Sequence, residues 1–176
     1  KKLIGNKPDR KINEALSALA KAEKCNPNNI EIYNLYSKIY ADYLKQDEVA
    51  LKYTSIWLML APYDASAHHS LFVIAWNKKD FARAERSIQK CIELNPTHAK
   101  YYFHFAEVCE HADQIDRAIE HYNKSISLNS HESRCYLHLR NIYTRLNKTN
   151  EAIAILKLRV NNNPNDAALA FQLGRL

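Results

Sequence analysis

Imidazoles and carboxylates are the side chains of this chain best suited to chemistry. Eight histidines are spread through 176 residues, and the step from His104 to His138 equals the step from Ala84 to Ala118. His69 lies one position from the same phase, and His111 follows His104 by about two helical turns. Glu107 and Glu110 are three apart and could meet on one helix face, where a raised carboxylate pKa would suit acid–base work. Nothing around them suggests such a shift, so a solvated face is the expectation. Cys109, His111 and Asp113 resemble a metal-binding set only superficially, and none of the four cysteines forms a CxxC pair. No GxGxxG, Walker loop, HExxH or GxSxG is present, and with two glycines most of them could not be. The residues thus point to binding, with no catalytic site, metal or cofactor expected.

The elements that must position these groups are helices. Gly occurs twice and Pro five times, which disfavours sheets joined by tight glycine turns. Apolar residues recur at helical spacing, as in Phe81, Ala84, Ile88, Cys91 and Ile92. Asn95-Pro96 and Asn163-Pro164 read as stops, because proline cannot extend a helix. Above this local pattern runs a longer one. Ala50, Ala84, Ala118 and Ala152 follow one another at one constant interval, and a whole helical pattern recurs around each. Alanine at these points lets two helices approach closely. Cys91 and Cys109 fall on apolar positions, where cysteine acts as a small hydrophobe.

These residues resemble the tetratricopeptide repeat family, over nearly the whole chain. The family unit is about 34 residues long, the interval that separates the alanines, and folds as antiparallel helices A and B. It has a large residue at position 4, Leu at 7, Gly or Ala at 8, Ala at 20, an aromatic at 24, Ala at 27 and Pro at 32. Residues 65–98 carry His68, Leu71, Ala84, Ile88, Cys91 and Pro96 on these positions. Residues 99–132 carry Tyr102, Phe105, Ala106, Ala118, Tyr122 and Ser125, with Ser130 in place of proline. Residues 133–166 carry Tyr136, Leu139, Ala152, Leu156 and Pro164. Residues 30–64 form a repeat one residue longer, the extra residue being expected in the turn near Leu44 to Asp47. A partial repeat, helix B with an N-terminal cap, occupies 1–29, and 167–176 matches the start of a further helix A. The resemblance therefore implies an all-α fold, an α-solenoid of antiparallel helix pairs. Because the chain lacks an initial methionine and stops within a helical pattern, it is expected to be part of a longer protein. Phe72 and Arg140 stand where the family has a small residue, which implies a splayed helix pair or a side chain reaching outward. Arg140 is alternatively a ligand contact.

In the family the A helices line a concave groove, and the resemblance places ligand contacts there. They are Asn34 and Lys38; then His69, Val73, Trp76 and Asn77; then Lys100, Phe103, His104, Glu107 and His111; and last Arg134, His138, Asn141 and Arg145. Two readings of the histidines stay open. They make an anion-binding trough that strengthens as pH falls through the histidine range, or they are simply frequent on this chain. Trp76, Phe103 and Leu137 are candidate apolar anchors. Trp76 alternatively packs on a neighbouring helix. Some family members clamp a chaperone's C-terminal carboxylate through Lys, Asn and Arg at set positions. Here Lys100 matches, but His104 replaces the Arg and Ser70 an Asn, so the clamp is incomplete.

The implied function is protein–protein interaction, with a peptide or partner helix held in the groove. The alternatives are a scaffold in a multi-subunit assembly, or the accessory repeat region of a larger enzyme or transcriptional regulator. A net charge of +6 without a basic cluster suits an acidic peptide better than direct nucleic-acid binding. Exposed repeat ends would allow self-association. No apolar run reaches membrane-spanning length, and free thiols suit the cytoplasm.

Overall fold

The computed structural model describes residues 10–129 and 132–162, all of whose regular structure is helical. The expected N-terminal cap over 1–9, the positions of Ser130 and Pro164, and the further helix over 167–176 lie outside the described residues. The chain divides into two compact units, residues 1–94 and 95–176.

The first unit holds α1 (Arg10–Cys25), α2 (Ile30–Lys38), α3 (Asp47–Leu60), α4 (Ala65–Asn77) and α5 (Phe81–Leu94). Helix α2 packs on α3 and α4 on α5, and α3 also packs on α4. Ala50 and Ala84 are fully buried, as a close helix–helix approach requires. Ala50 packs with Ala41 and Ile74, while Tyr33, Tyr36 and Trp57 form a separate buried cluster with Leu19, Ile32 and Ala67. Tyr36 and Tyr53 stack at 4.2 Å between ring centres. A polar pair sits in this core: Ser37 and Thr54 share a 2.7 Å hydrogen bond between α2 and α3, so neither buried hydroxyl is orphaned. Asp64 caps α4 by accepting from the Ser66 amide, and its second oxygen accepts from Trp57 Nε1.

The second unit holds α6 (Ala99–His111), α7 (Ile115–Leu128), α8 (Ser133–Arg145) and α9 (Thr149–Asn162). Helices pair α6 with α7 and α8 with α9, and α7 packs on α8. Ala118, Tyr122, Tyr136 and Leu139 are fully buried here. Cys109 and Cys135 are buried too, as is Cys91 of α5 in the first unit. Burial pushes the thiols of Cys91 and Cys135 up to about 12 and about 11, so they stay protonated and inert.

Two hydrogen-bonding devices recur along the chain. Tyr33 and Tyr102 hydroxyls donate to the carbonyls of Pro27 and Pro96, and His68 Nε2 lies 2.9 Å from the Pro62 carbonyl. The large residue early in each of these helices thus closes on the proline six residues before it. Cys91 and Ser125 close the other side, donating to the carbonyls of Ala65 and Ala99.

The turns carry the clearest period. Lys45, Lys79, Asp113 and Asn147 are left-handed, with φ of 54°, 60°, 56° and 56°. In the last three turns the next amide reaches back five residues, to Ala75, Cys109 and Tyr143, satisfying a terminal carbonyl. After Lys45 the equivalent amide, Gln46, reaches back six residues to Tyr40. The extra residue of 30–64 is therefore not in the turn near Leu44 to Asp47. It is inside the helix, as a π-helical turn over Ile39–Tyr43 that continues α2. A short turn with one left-handed position already satisfies the helix end. Lengthening it would lose that closure, whereas a π turn absorbs one residue by slipping the ladder.

Candidate functional site

The described side chains of the second unit converge on α6 and α8. Phe103, His104, Glu107 and Glu110 fall at helical spacing on α6, and Arg134 and His138 lie one turn apart on α8. The carboxylate of Glu110 joins three helices. Its Oε2 accepts from the Tyr122 hydroxyl of α7 at 2.9 Å and faces His138 Nδ1 of α8, also at 2.9 Å. Tyr122 is fully buried. Burial, then the nearby Glu110 charge, raises its phenol well above the usual range, so it stays a donor. His104 Nδ1 lies 2.8 Å from Glu107 Oε2. Phe103 forms the floor: its ring meets Tyr122, His104 and His138, and the Arg134 guanidinium lies 4.2 Å from its centre. Arg134 also pairs with Glu132 at 2.8 Å. The hydrogen bonds from Arg134 hold the Glu132 carboxyl below the usual carboxylate range, and Glu132 in turn raises Arg134.

This arrangement departs from the sequence reading in three places. Phe103 is 1% exposed, so it cannot be a surface anchor; α6 is packed on several sides and buries it. Leu137, by contrast, is exposed. Glu107 and Glu110 are not a solvated pair but half-buried partners of His104 and His138. And the face is not uniformly basic, because Glu107, Glu110 and Glu132 alternate with Arg134 and the two histidines. Tyr122 and Glu132 belong to the same cluster, although the sequence placed one in the core and gave no role to the other. Of the remaining predicted residues, Lys100, His111, Asn141 and Arg145 are exposed. Asn141 Oδ1 accepts from the half-buried Arg140 guanidinium. Lys100, His98, Leu128 and Glu132 line a shallow hollow of about 440 Å³ at the start of α6.

In the first unit, Lys38 and Asn77 are exposed, while Asn34, Val73, His69 and Trp76 are half-buried. Asn34 donates to Glu31 on the same helix. Trp76 meets Phe72 and the edge of Phe81, the first residue of α5, so it packs within its own helix pair. Phe72 is buried beside His69 and Trp76. Among the described residues no three His, Cys, Asp or Glu are grouped to hold a metal ion, and no helix is long and apolar enough to cross a membrane.

Helix pairs recurring at one constant interval, with polar side chains gathered on first-helix faces, define a helical-repeat protein. Three sequence profiles described as tetratricopeptide repeat match residues 66–98, 87–120 and 111–173, together spanning more than half the chain. The chain belongs to the tetratricopeptide repeat family. Among solved structures it is similar to MamA, at 25% identity and a TM-score of 0.78, over 89% of this chain and 91% of that one. PilF of Pseudomonas aeruginosa gives 15% identity and a TM-score of 0.78, covering 94% of this chain and 76% of that one. The APC/C hetero-tetramer Cut9–Hcn1 gives 20% identity and a TM-score of 0.73, covering 93% of this chain and 33% of the matched one. These last two likenesses bear on the fold alone. No curated protein sequence matches the chain.

Proposed function

We propose that this chain is a non-catalytic binding module, built of repeats at 30–64, 65–98, 99–132 and 133–166, that holds a peptide or partner helix along its first-helix faces. One observation carries the reading. On α6 and α8, His104, Glu107, Arg134 and His138 are gathered as partly exposed polar groups, each held in place by a partner within the protein. Side chains fixed before binding lose less entropy when a ligand arrives. The buried, protonated thiols fit a cytoplasmic setting. Calorimetric titration with peptides tests the proposal, using Lys100→Ala and His104→Ala as controls. Unchanged affinity in both variants would move the site elsewhere.

A scaffold role has its own support in the first unit. Tyr43, Met59 and Tyr63 are 69%, 82% and 79% exposed there, large side chains available to a packing partner. Sedimentation across a concentration series separates self-association from a monomer.

A further inference from the structure

The Glu110 contacts bear on what His138 can recognise. An ionised carboxylate has lone pairs and no proton to give. Both groups that face Glu110 Oε2, the Tyr122 hydroxyl and His138 Nδ1, must therefore donate to it. A neutral imidazole carries one N–H, and the bond made by one ring nitrogen decides the state of the other. With the proton on Nδ1, the remaining polar atom of the ring, Nε2, is an acceptor. The His138 side chain is 32% exposed and rests edge-on to Phe103 and stacked on Tyr122, contacts that fix its plane.

We propose that Glu110 is a positioning residue that locks His138 as the Nδ1–H tautomer, so that this face takes a hydrogen-bond donor from its ligand, an N–H or O–H, in place of a carboxylate. The proposal rests on the peptide-binding reading above and reverses the ligand polarity expected from an imidazole-rich trough. Arg134, one turn away on α8, supplies the complementary donor. Donor and acceptor so placed suit neutral polar groups of an extended segment, such as a main-chain amide or an Asn, Gln or Ser side chain.

Two measurements test it. The first is long-range proton–nitrogen NMR on the ¹⁵N-labelled chain at pH 8, where imidazoles are neutral. A protonated Nδ1 and a bare Nε2 are expected for His138, drifting toward Nε2–H in Glu110→Ala. Should that variant not fold, Glu110→Gln, whose amide can both give and accept, is expected to give a mixture. An Nε2–H form in the unaltered chain overturns the proposal. The second is selection of binders from a displayed random-peptide library, followed by affinity measurement on His138→Leu. Loss of tenfold or more, confined to peptides with Asn, Gln, Ser, Thr or Lys at the dependent position, supports it. Dependence on Asp or Glu at that position overturns it while leaving peptide binding in place. A library that yields no binder removes the peptide-binding reading, and this assignment of the ligand with it, while the tautomer result stands.

Discussion

Removing the Glu110 carboxylate should reveal how much of the second unit hangs on one acceptor. In Glu110→Ala the Tyr122 hydroxyl stays fully buried and loses its partner. An orphaned buried donor costs about 1–3 kcal/mol. His138 loses the same acceptor, but its ring is a third exposed and can turn to water, so its share is about 0–1 kcal/mol. The sum is about 1–4 kcal/mol. For a chain of this length each kcal/mol lowers the melting temperature by about 2–4 °C, so a drop of about 2–16 °C is expected. Tyr122→Phe alone should cost less, about 1–2 kcal/mol, because the 22%-exposed carboxylate it abandons keeps His138 and some water.

The informative quantity is the cycle. Once the hydroxyl is gone, Glu110→Ala orphans nothing buried, so the double variant should be about 1–2 kcal/mol more stable than the two single losses summed. Far-UV dichroism in urea gives the free energies. Both tryptophans lie in the first unit, so their fluorescence does not report on α6–α8. Amide hydrogen exchange is the measurement that places the loss there. Additive single losses, to within about 0.3 kcal/mol, would refute the bond between Tyr122 and Glu110 as the source of the effect.

Three further outcomes are expected. Ala118→Leu forces a larger side chain between α6 and α7 and should cost about 1–3 kcal/mol, read in a thermal melt; no loss would misplace the core. Lys79→Gly should gain about 0.5–1 kcal/mol by relieving a left-handed side-chain conformation, and Asn147→Gly should gain less, because asparagine tolerates that region. Burial lowers the His121 imidazole, so the unfolded chain binds a proton first as pH falls. His121 therefore leaves stability intact above the ordinary histidine pKa and withdraws it below, toward the lowered folded value; melts between pH 7.5 and 5 should show that slope, and His121→Leu should flatten it.

The architecture was legible because it is repetitive. A fixed period marks alanines that must be small and prolines that must end helices, and both constraints are local. The site was legible only in part. The resemblance to the repeat family told which helix positions share a groove, which is how His104, Glu107, Arg134 and His138 came to be named together. It could not tell which of them a neighbouring helix would engage. Glu110 has the same spacing whether it meets water or His138, and only the packing of α7 on α8 decides. Phe103 fails for a related reason. A groove position is exposed when one face of the helix is open, but α6 buries Tyr101, Tyr102, Phe103, Phe105, Ala106, Val108 and Cys109, which is more than one face.

The π turn in α2 shows how a repeat absorbs a change that its turns cannot. Four turns share one left-handed residue and one length, so the turn is the rigid part of the pattern. An added residue must then go where the backbone can still pair all its groups. Within Ile39–Tyr43 it does, because Leu44 reaches back five residues to Ile39 where Lys78, Ala112 and Leu146 reach back four. The slip rotates every residue after it by one helical position, about 100° of turn. Residues before the slip, Asn34 and Lys38 among them, keep their register to the start of α2, whereas Ala41, buried beside Ala50 and Ile74, keeps its register to the turn. A face copied residue by residue from an ordinary repeat therefore holds up to Lys38 and shifts beyond it, which puts exposed Asp42 and Tyr43 a step away from where the repeat period alone would set them.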